Sequence, residues 1–171
     1  NMGREKDEID RRVRSAARQM GLKDELLERS PFDLSGGQKR RVALAGVIAM
    51  EPKILILDEP AAGLDPAGRD RVLEEIAGYH RNSGTTVLLV SHSMEDIVKY
   101  ADKVLVMNRG QLFCYEDTDK VFSMSKELQM IGLDIPQITK LSHLLAEEGI
   151  DIGNDVYTVE RAKERLLKLF E

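Results

Sequence analysis

The sequence is 171 residues long, with 25 Lys plus Arg against 30 Asp plus Glu and a formal net charge of −5. Hydrophobic residues at 42% beside 32% charged residues exclude a disordered chain and fit one globular domain with at most a small appendage. A single cysteine, Cys114, excludes an intrachain disulfide and a cysteine-rich zinc site. The longest apolar run, Val42 to Met50, is nine residues, whereas a bilayer span takes about 20. With no basic-then-apolar signal segment at its start, the expectation is an intracellular protein.

In chain order, Ile9, Val13, Ala16, Ala17 and Met20 recur at helical spacing, and Gly21 ends that helix. The chain enters this helix almost directly from Asn1-Met2, so an N-terminal portion of the fold is expected to precede it. Asp33 to Ser35 opens a second helix, which runs to about Met50 and stops at Glu51-Pro52. Ile54 to Leu57 is predicted as a buried parallel strand that ends in Asp58-Glu59. Pro66 starts another helix down to Asn82, and Thr85 to Val90 is predicted as a second buried strand. Ser93 caps the following helix, with Asp96 three residues on. Val104–Met107 and Gln111–Tyr115 form a hairpin around Arg109-Gly110. Strands alternating with helices argue for an α/β fold with a parallel sheet. From about Thr118 the texture changes to a small helical appendage, residues 118–171. One apolar helix face there is Ile138, Leu141, Leu144 and Leu145; another is Val159, Ala162, Leu166, Leu169 and Phe170. The segment Gly149 to Asp155 between them is polar and turn-rich.

The segment most informative about chemistry is Leu34-Ser35-Gly36-Gly37-Gln38. Two glycines at a helix start let the backbone come close to an anion, and the free amides and positive helix end favour a phosphate. Ser35 adds a hydroxyl. By itself the same string is an ordinary loop with a serine cap. Further on, an apolar strand delivers Asp58 and Glu59 to the edge where α/β proteins bind ligands. In phosphate-binding proteins of this class a strand-end acid holds magnesium, and a neighbouring acid can take a proton from an attacking water. A plain acidic strand end is the alternative. Asp65 is placed to cap the helix that starts at Pro66, a role that would account for it alone. His92 follows the second strand and either is satisfied locally or reaches the same phosphate. His80 and His143 lie on helix patterns and are assigned no chemistry.

Taken in order, the motifs LSGGQ, ILILDEP, GLD and SH resemble the nucleotide-binding domain of ABC ATPases, from about Glu5 to Asp117. The resemblance implies an ABC-type P-loop NTPase fold, ATP and Mg2+ as ligands, and a division into cassette residues 1–117 and a dimerising extension 118–171. It implies that Ser35, Gly36, Gly37 and Gln38 grip the γ-phosphate of ATP bound to the opposite subunit. Asp58 would be the magnesium-coordinating acid, Glu59 the catalytic base, Asp65 part of a loop crossing the dimer interface, and His92 the γ-phosphate contact. The wording AGVIAMEPKILILDEPAAGLDPAGR and SHSMEDIVKYADKVLVMNRG is most similar to energy-coupling factor ATPases, which power uptake of vitamins or of cobalt and nickel ions. That implies a homo- or heterodimer with a second ABC ATPase subunit, membrane-embedded transport subunits, and a place on the cytoplasmic face of the membrane. Ala61 departs from the family, which more often has Thr or Ser there. No G-x-x-x-x-G-K-[ST] occurs in the sequence, so the loop that cradles phosphate lies outside it. This chain alone is therefore expected to be inactive. The rivals are an ABC ATPase without a membrane partner and a catalytically dead interaction remnant. A basic excess in the first third (Arg11, Arg12, Arg14, Arg18, Lys39, Arg40, Arg41) is interleaved with acids, and no nucleic-acid partner is expected.

Overall fold

The computed structural model describes residues 3–153 and 155–170. Its chain divides into two compact units, one up to Val90 and one from Ser91 onward.

In the first unit, α1 (Lys6–Gln19) ends in a left-handed turn at Gly21, φ 58°. Gly21 N donates to Arg18 O and Leu22 N to Ala17 O, the paired bonds that close a helix over a left-handed residue. α2 (Gly36–Ile48) packs on α1, and α3 (Pro66–Ser83) touches both. Met20, Leu44, Ile48, Val72, Leu73 and Ile76 are buried, each contributing about 2 kcal/mol of transfer free energy. Strands β1 (Ile54–Asp58) and β2 (Thr86–Val90) pair in parallel, with Ile54 opposite Thr86 and Asp58 opposite Val90. The buried Thr85 fixes where β2 begins. Its hydroxyl donates to Pro52 O at 3.1 Å and accepts from Tyr79, while His80 Nδ1 donates to its carbonyl at 2.7 Å.

One sequence expectation needs correction. Both strands are expected to be buried, but among the described residues β1 has one buried face and β2 is only partly covered. Leu55 and Leu57 are buried, while Ile54, Ile56, Leu88 and Val90 remain about half exposed or more. An uninterrupted apolar run indicates that both faces avoid water; it does not supply the layer that covers the second face.

In the second unit, α4 (Met94–Tyr100) is capped by Ser93, whose Oγ accepts from Asp96 N. β3 (Lys103–Asn108) and β4 (Gln111–Asp117) form the expected antiparallel hairpin. Arg109 at φ 51° and Gly110 at φ 77° make its two-residue turn, whose handedness matches the strand twist. Among the described residues four helices follow: α5 (Thr118–Ser123), α6 (Ser125–Met130), α7 (Gln137–Glu147) and α8 (Val159–Leu167). Val106 of the hairpin shares one core with Val121, Phe122, Leu128, Ile135 and Tyr157. That core joins residues on either side of position 117, the hairpin before it and the helices after it. Tyr157 stacks on Phe122 and donates its hydroxyl to Asp119. Burial first, then that acidic acceptor, push its phenol up to about 12.

The apolar faces expected on the last helices are also divided differently. Ile138 and Leu145 pack with Ile152, Val156, Ala162 and Leu166, but Leu141 and Leu144 face solvent, as do Val159, Leu169 and Phe170. The inward stripe of α7 is instead completed by two buried hydroxyls. Thr139 donates to Val156 O at 2.8 Å and Ser142 to Gly153 O at 3.1 Å. A turn carrying buried carbonyls needs donors, and that requirement rotates the helix.

The turn at Gly21 generates a stability prediction. A Cβ there would lie 2.5 Å from Glu75 Oε1, the atom that accepts from Arg41 Nη1 at 3.2 Å. Gly21→Ala adds left-handed strain and pushes against this nearly buried ion pair. It should destabilise the first unit by about 2 kcal/mol, read as a lower midpoint in chemical denaturation.

Candidate functional site

The site grows from the start of α2. Ser35 is its N-cap: Ser35 Oγ accepts from Gln38 N at 3.3 Å, and Gln38 Oε1 accepts from Ser35 N at 2.9 Å. This reciprocal pair satisfies two backbone donors that the helix leaves open. The amides of Gly36 and Gly37, in the same first turn, have no acceptor within the helix by position. Ser35 and Gly36 are exposed, and the hydroxyl of Ser35 keeps its own hydrogen to donate.

The two glycines are not required by the fold. Neither has a positive φ, and a Cβ on either would meet nothing within 4 Å. Glycine in a helix costs roughly 0.5–1 kcal/mol against alanine, so packing gives no reason to keep two of them. What they provide is an open backbone surface at the positive end of a helix.

Asp58 and Glu59 stand at the end of β1. Asp58 is exposed, and its carboxylate makes no hydrogen bond or ion pair among the described residues, which suits a hard divalent cation. No cluster of three or more metal-ligating side chains occurs among those residues. Glu59 has φ 47°, a left-handed conformation rare for a residue with a Cβ. Its amide donates to Val90 O at 2.9 Å, so the turn begins while still hydrogen-bonded to β2.

Arg40 was counted in the sequence only as part of the basic excess. Its Nη2 donates to Glu59 O at 2.5 Å and its Nε to Pro60 O at 2.6 Å. Arg41 pairs with Glu75, and the two side chains are 12% and 14% exposed. Burial pushes the Glu75 carboxyl up, opposed by Arg41, and its Oε2 is buried without a hydrogen bond. One signal was available: Arg40 and Arg41 precede buried Leu44 and Ala45 by one helical turn, so both lie on the inward face. Three arginines of α1 face acids as well. Arg12 pairs with Glu8 and Glu51, Arg14 with Asp10, and Arg18 with Asp24.

Asp65 does occupy the N-cap of α3, but its side chain makes no capping bond. Its Oδ1 sits where a Cβ on Gly68 would come within 2.6 Å. His92 lies in the second unit, exposed, in the bend before α4, where Ser93 N donates to Ser91 Oγ at 3.1 Å.

A direct test of the glycine argument is Gly37→Ala. With free space for the methyl group, it should raise stability by about 0.5 kcal/mol, measured as a small upward shift of the thermal midpoint.

Comparison with known proteins finds relatives of this chain. The family model for ABC transporters matches residues 1–62. The energy-coupling factor transporter ATP-binding protein EcfA2 of Acetivibrio thermocellus is 51% identical over 97% of this chain and 59% of its own length. Its namesake in Clostridium acetobutylicum is 48% identical over 100% of this chain and 60% of its own. The chain thus spans about three-fifths of the length of these curated relatives. Among solved structures, cbiO1 from Clostridium perfringens, described as part of the ABC transporter complex cbiONQ, is 34% identical. It superposes with a TM-score of 0.68 over 85% of this chain and 57% of that one. A dimeric bacterial ABC transporter cassette, 23% identical with a TM-score of 0.57 over 68% of this chain and 50% of that one, shares the fold. Sequence and fold together make the chain similar to ABC transporter ATP-binding cassettes, and among them to the ATP-binding proteins of energy-coupling factor transporters.

Proposed function

We propose that this chain is the signature and magnesium-acid portion of an ATP-hydrolysing subunit that powers an energy-coupling factor importer for vitamins or transition-metal ions. The observation that carries the site is the pair Gly36 and Gly37, where a Cβ would meet nothing within 4 Å among the described residues. Similarity to energy-coupling factor proteins over 97% of the chain supports the choice of family.

On this reading, Ser35, Gly36, Gly37 and Gln38 bind the γ-phosphate of ATP held by a second ABC subunit, through free amides, a hydroxyl and the helix end. Glu59 accepts a proton from the water that attacks the γ-phosphorus, and the P–O bond to the β-phosphate breaks. Bound magnesium would be held by Asp58 and would offset negative charge on the phosphate oxygens. Asp65, whose carboxylate is not used in capping, contributes to the subunit interface, and His92 contacts the γ-phosphate. Residues 1–117 act as cassette and 118–171 as the dimerising extension. No described helix is long and apolar enough to cross a membrane. The subunit works on the cytoplasmic face through membrane-embedded partners.

In the full-length subunit, Glu59→Gln keeps the side-chain shape and removes the proton acceptor. ATPase turnover should fall by about 10²- to 10⁴-fold while ATP still binds, measured by phosphate release and nucleotide retention. Undiminished turnover would remove Glu59 from the mechanism. Gly37→Ala, stabilising for the fold, should lower the same turnover because its methyl group occupies the anion's approach.

The extension calls for a different test. Val121, Phe122, Leu128 and Tyr157 complete the hairpin core, so excising residues 118–171 would expose that core as well as remove the tail. Leu141 and Leu144, 45% and 58% exposed, can be changed without touching it. The double substitution Leu141→Gln and Leu144→Gln should weaken nucleotide-free dimerisation in sedimentation equilibrium. An unchanged constant would assign this face another role.

A further inference from the structure

Arg40 joins the two parts of the site that the sequence presents separately. It lies two residues beyond Gln38 in α2, and its planar guanidinium bridges consecutive carbonyls, Glu59 O at 2.5 Å and Pro60 O at 2.6 Å. The peptide it holds begins at a residue in left-handed backbone, a conformation that a residue with a Cβ rarely adopts. Glu59 sits at φ 47°, and its side-chain direction is set by that backbone. Three further bonds surround the same turn: Glu59 N to Val90 O at 2.9 Å, Ala62 N to Glu59 O at 3.1 Å, and Leu64 N to Ala61 O at 3.4 Å. Among these, only the Arg40 bonds come from α2, and only they carry a full charge, which makes such bonds shorter and stronger than neutral ones. Pro60 and Ala61 are buried, so their backbone has little water to replace a lost donor.

We propose that Arg40 is a positioning residue for the general base: it locks the left-handed Glu59 turn to the helix whose first residues bind phosphate. This rests on the reading of Glu59 as the base. Any rotation or shift of α2 that follows from an anion settling on Gly36 and Gly37 is passed, one helical turn later, to the peptide that aims Glu59. Arginine suits the task because its fork presents two N–H groups in one plane, whereas a lysine ammonium is a point donor on a flexible stem.

The test uses the full-length subunit assembled with its partners and compares Arg40→Ala with Glu59→Gln. Arg40→Ala should lower kcat about tenfold to a hundredfold, the range expected when a catalytic group is misplaced by around an ångström. KM for ATP should stay near the wild-type value, because the residue touches no nucleotide. Guanidinium chloride at low concentration should restore part of the kcat of Arg40→Ala, with sodium chloride at the same ionic strength giving no recovery. An unchanged kcat in Arg40→Ala, beside a Glu59→Gln variant that is inactive, overturns the positioning role and leaves the base in place. A loss of kcat with a raised KM, a lowered thermal midpoint and no recovery by guanidinium also overturns it, since a merely structural tie behaves that way. Full turnover by Glu59→Gln overturns the reading of Glu59 itself, and with it the basis for assigning Arg40 to that residue.

Discussion

One peptide link, Glu59–Pro60, is where strand, helix and loop of the first unit meet. Glu59 follows β1 in left-handed backbone while its amide is still bonded to β2, and the carbonyls of Glu59 and Pro60 accept from the guanidinium of Arg40 in α2. Were that turn extended, Asp58 would be followed by continued strand and the pairing edge would move away from the start of α2. The parallel register provides the other half of the constraint. With Asp58 opposite Val90, both strands finish at the same level, and the Thr85 network fixes that register at the opposite end. Local geometry at one turn and pairing along two short strands are enough to place the acids.

The second unit is organised by a different balance. Its hairpin is a two-stranded ribbon, which has little stability in water alone. The helices after it supply the missing layer, with Val121 and Phe122 beside Val106 and Tyr157 closing from the far end of the sequence. Polar groups share this work. Thr118 donates to Ala101 O, and Thr139 and Ser142 donate to carbonyls of the turn before α8. Buried hydroxyls with partners cost little, and they specify one packing where an all-apolar helix face would allow several.

These two balances explain what the sequence revealed and what it hid. Helix starts and stops were legible because they are local: Ser35, Ser93, Pro66, Gly21 and the Arg109-Gly110 turn act through their own backbone. The acids at the end of β1 were legible for the same reason, since an apolar run ending in charge has few other readings. Burial was not legible. Ile54 and Ile56 look like core residues in sequence, yet the face they share is open among the described residues. Leu141 and Leu144 keep perfect helical spacing with Ile138 and Leu145, but the helix turns its hydroxyls inward because a distant loop requires donors. Arg40 was hidden for a related reason. A charge in a basic cluster suggests a surface, and only its partners, some 20 residues away, turn it into an interior tie.

The residues that break local rules in the first unit are not scattered. Left-handed φ at Glu51 and at Arg109 in the second unit belongs to ordinary chain reversals, after α2 and within the hairpin turn. Glu59 has no such excuse, because a strand end can turn with glycine at lower cost. Gly36 and Gly37 invert the problem: they are flexible residues where alanine would fit and hold the helix better. Arg40 is the third exception, a charge taken partly out of water on a helix whose next buried neighbours are Leu44 and Ala45. All three lie within one turn of α2 and the end of one strand. Departures caused by drift would fall anywhere on the surface. Glu59 and Arg40 meet through hydrogen bonds at the backbone of the proposed base, and departures tied together in this way point to selection for something other than stability.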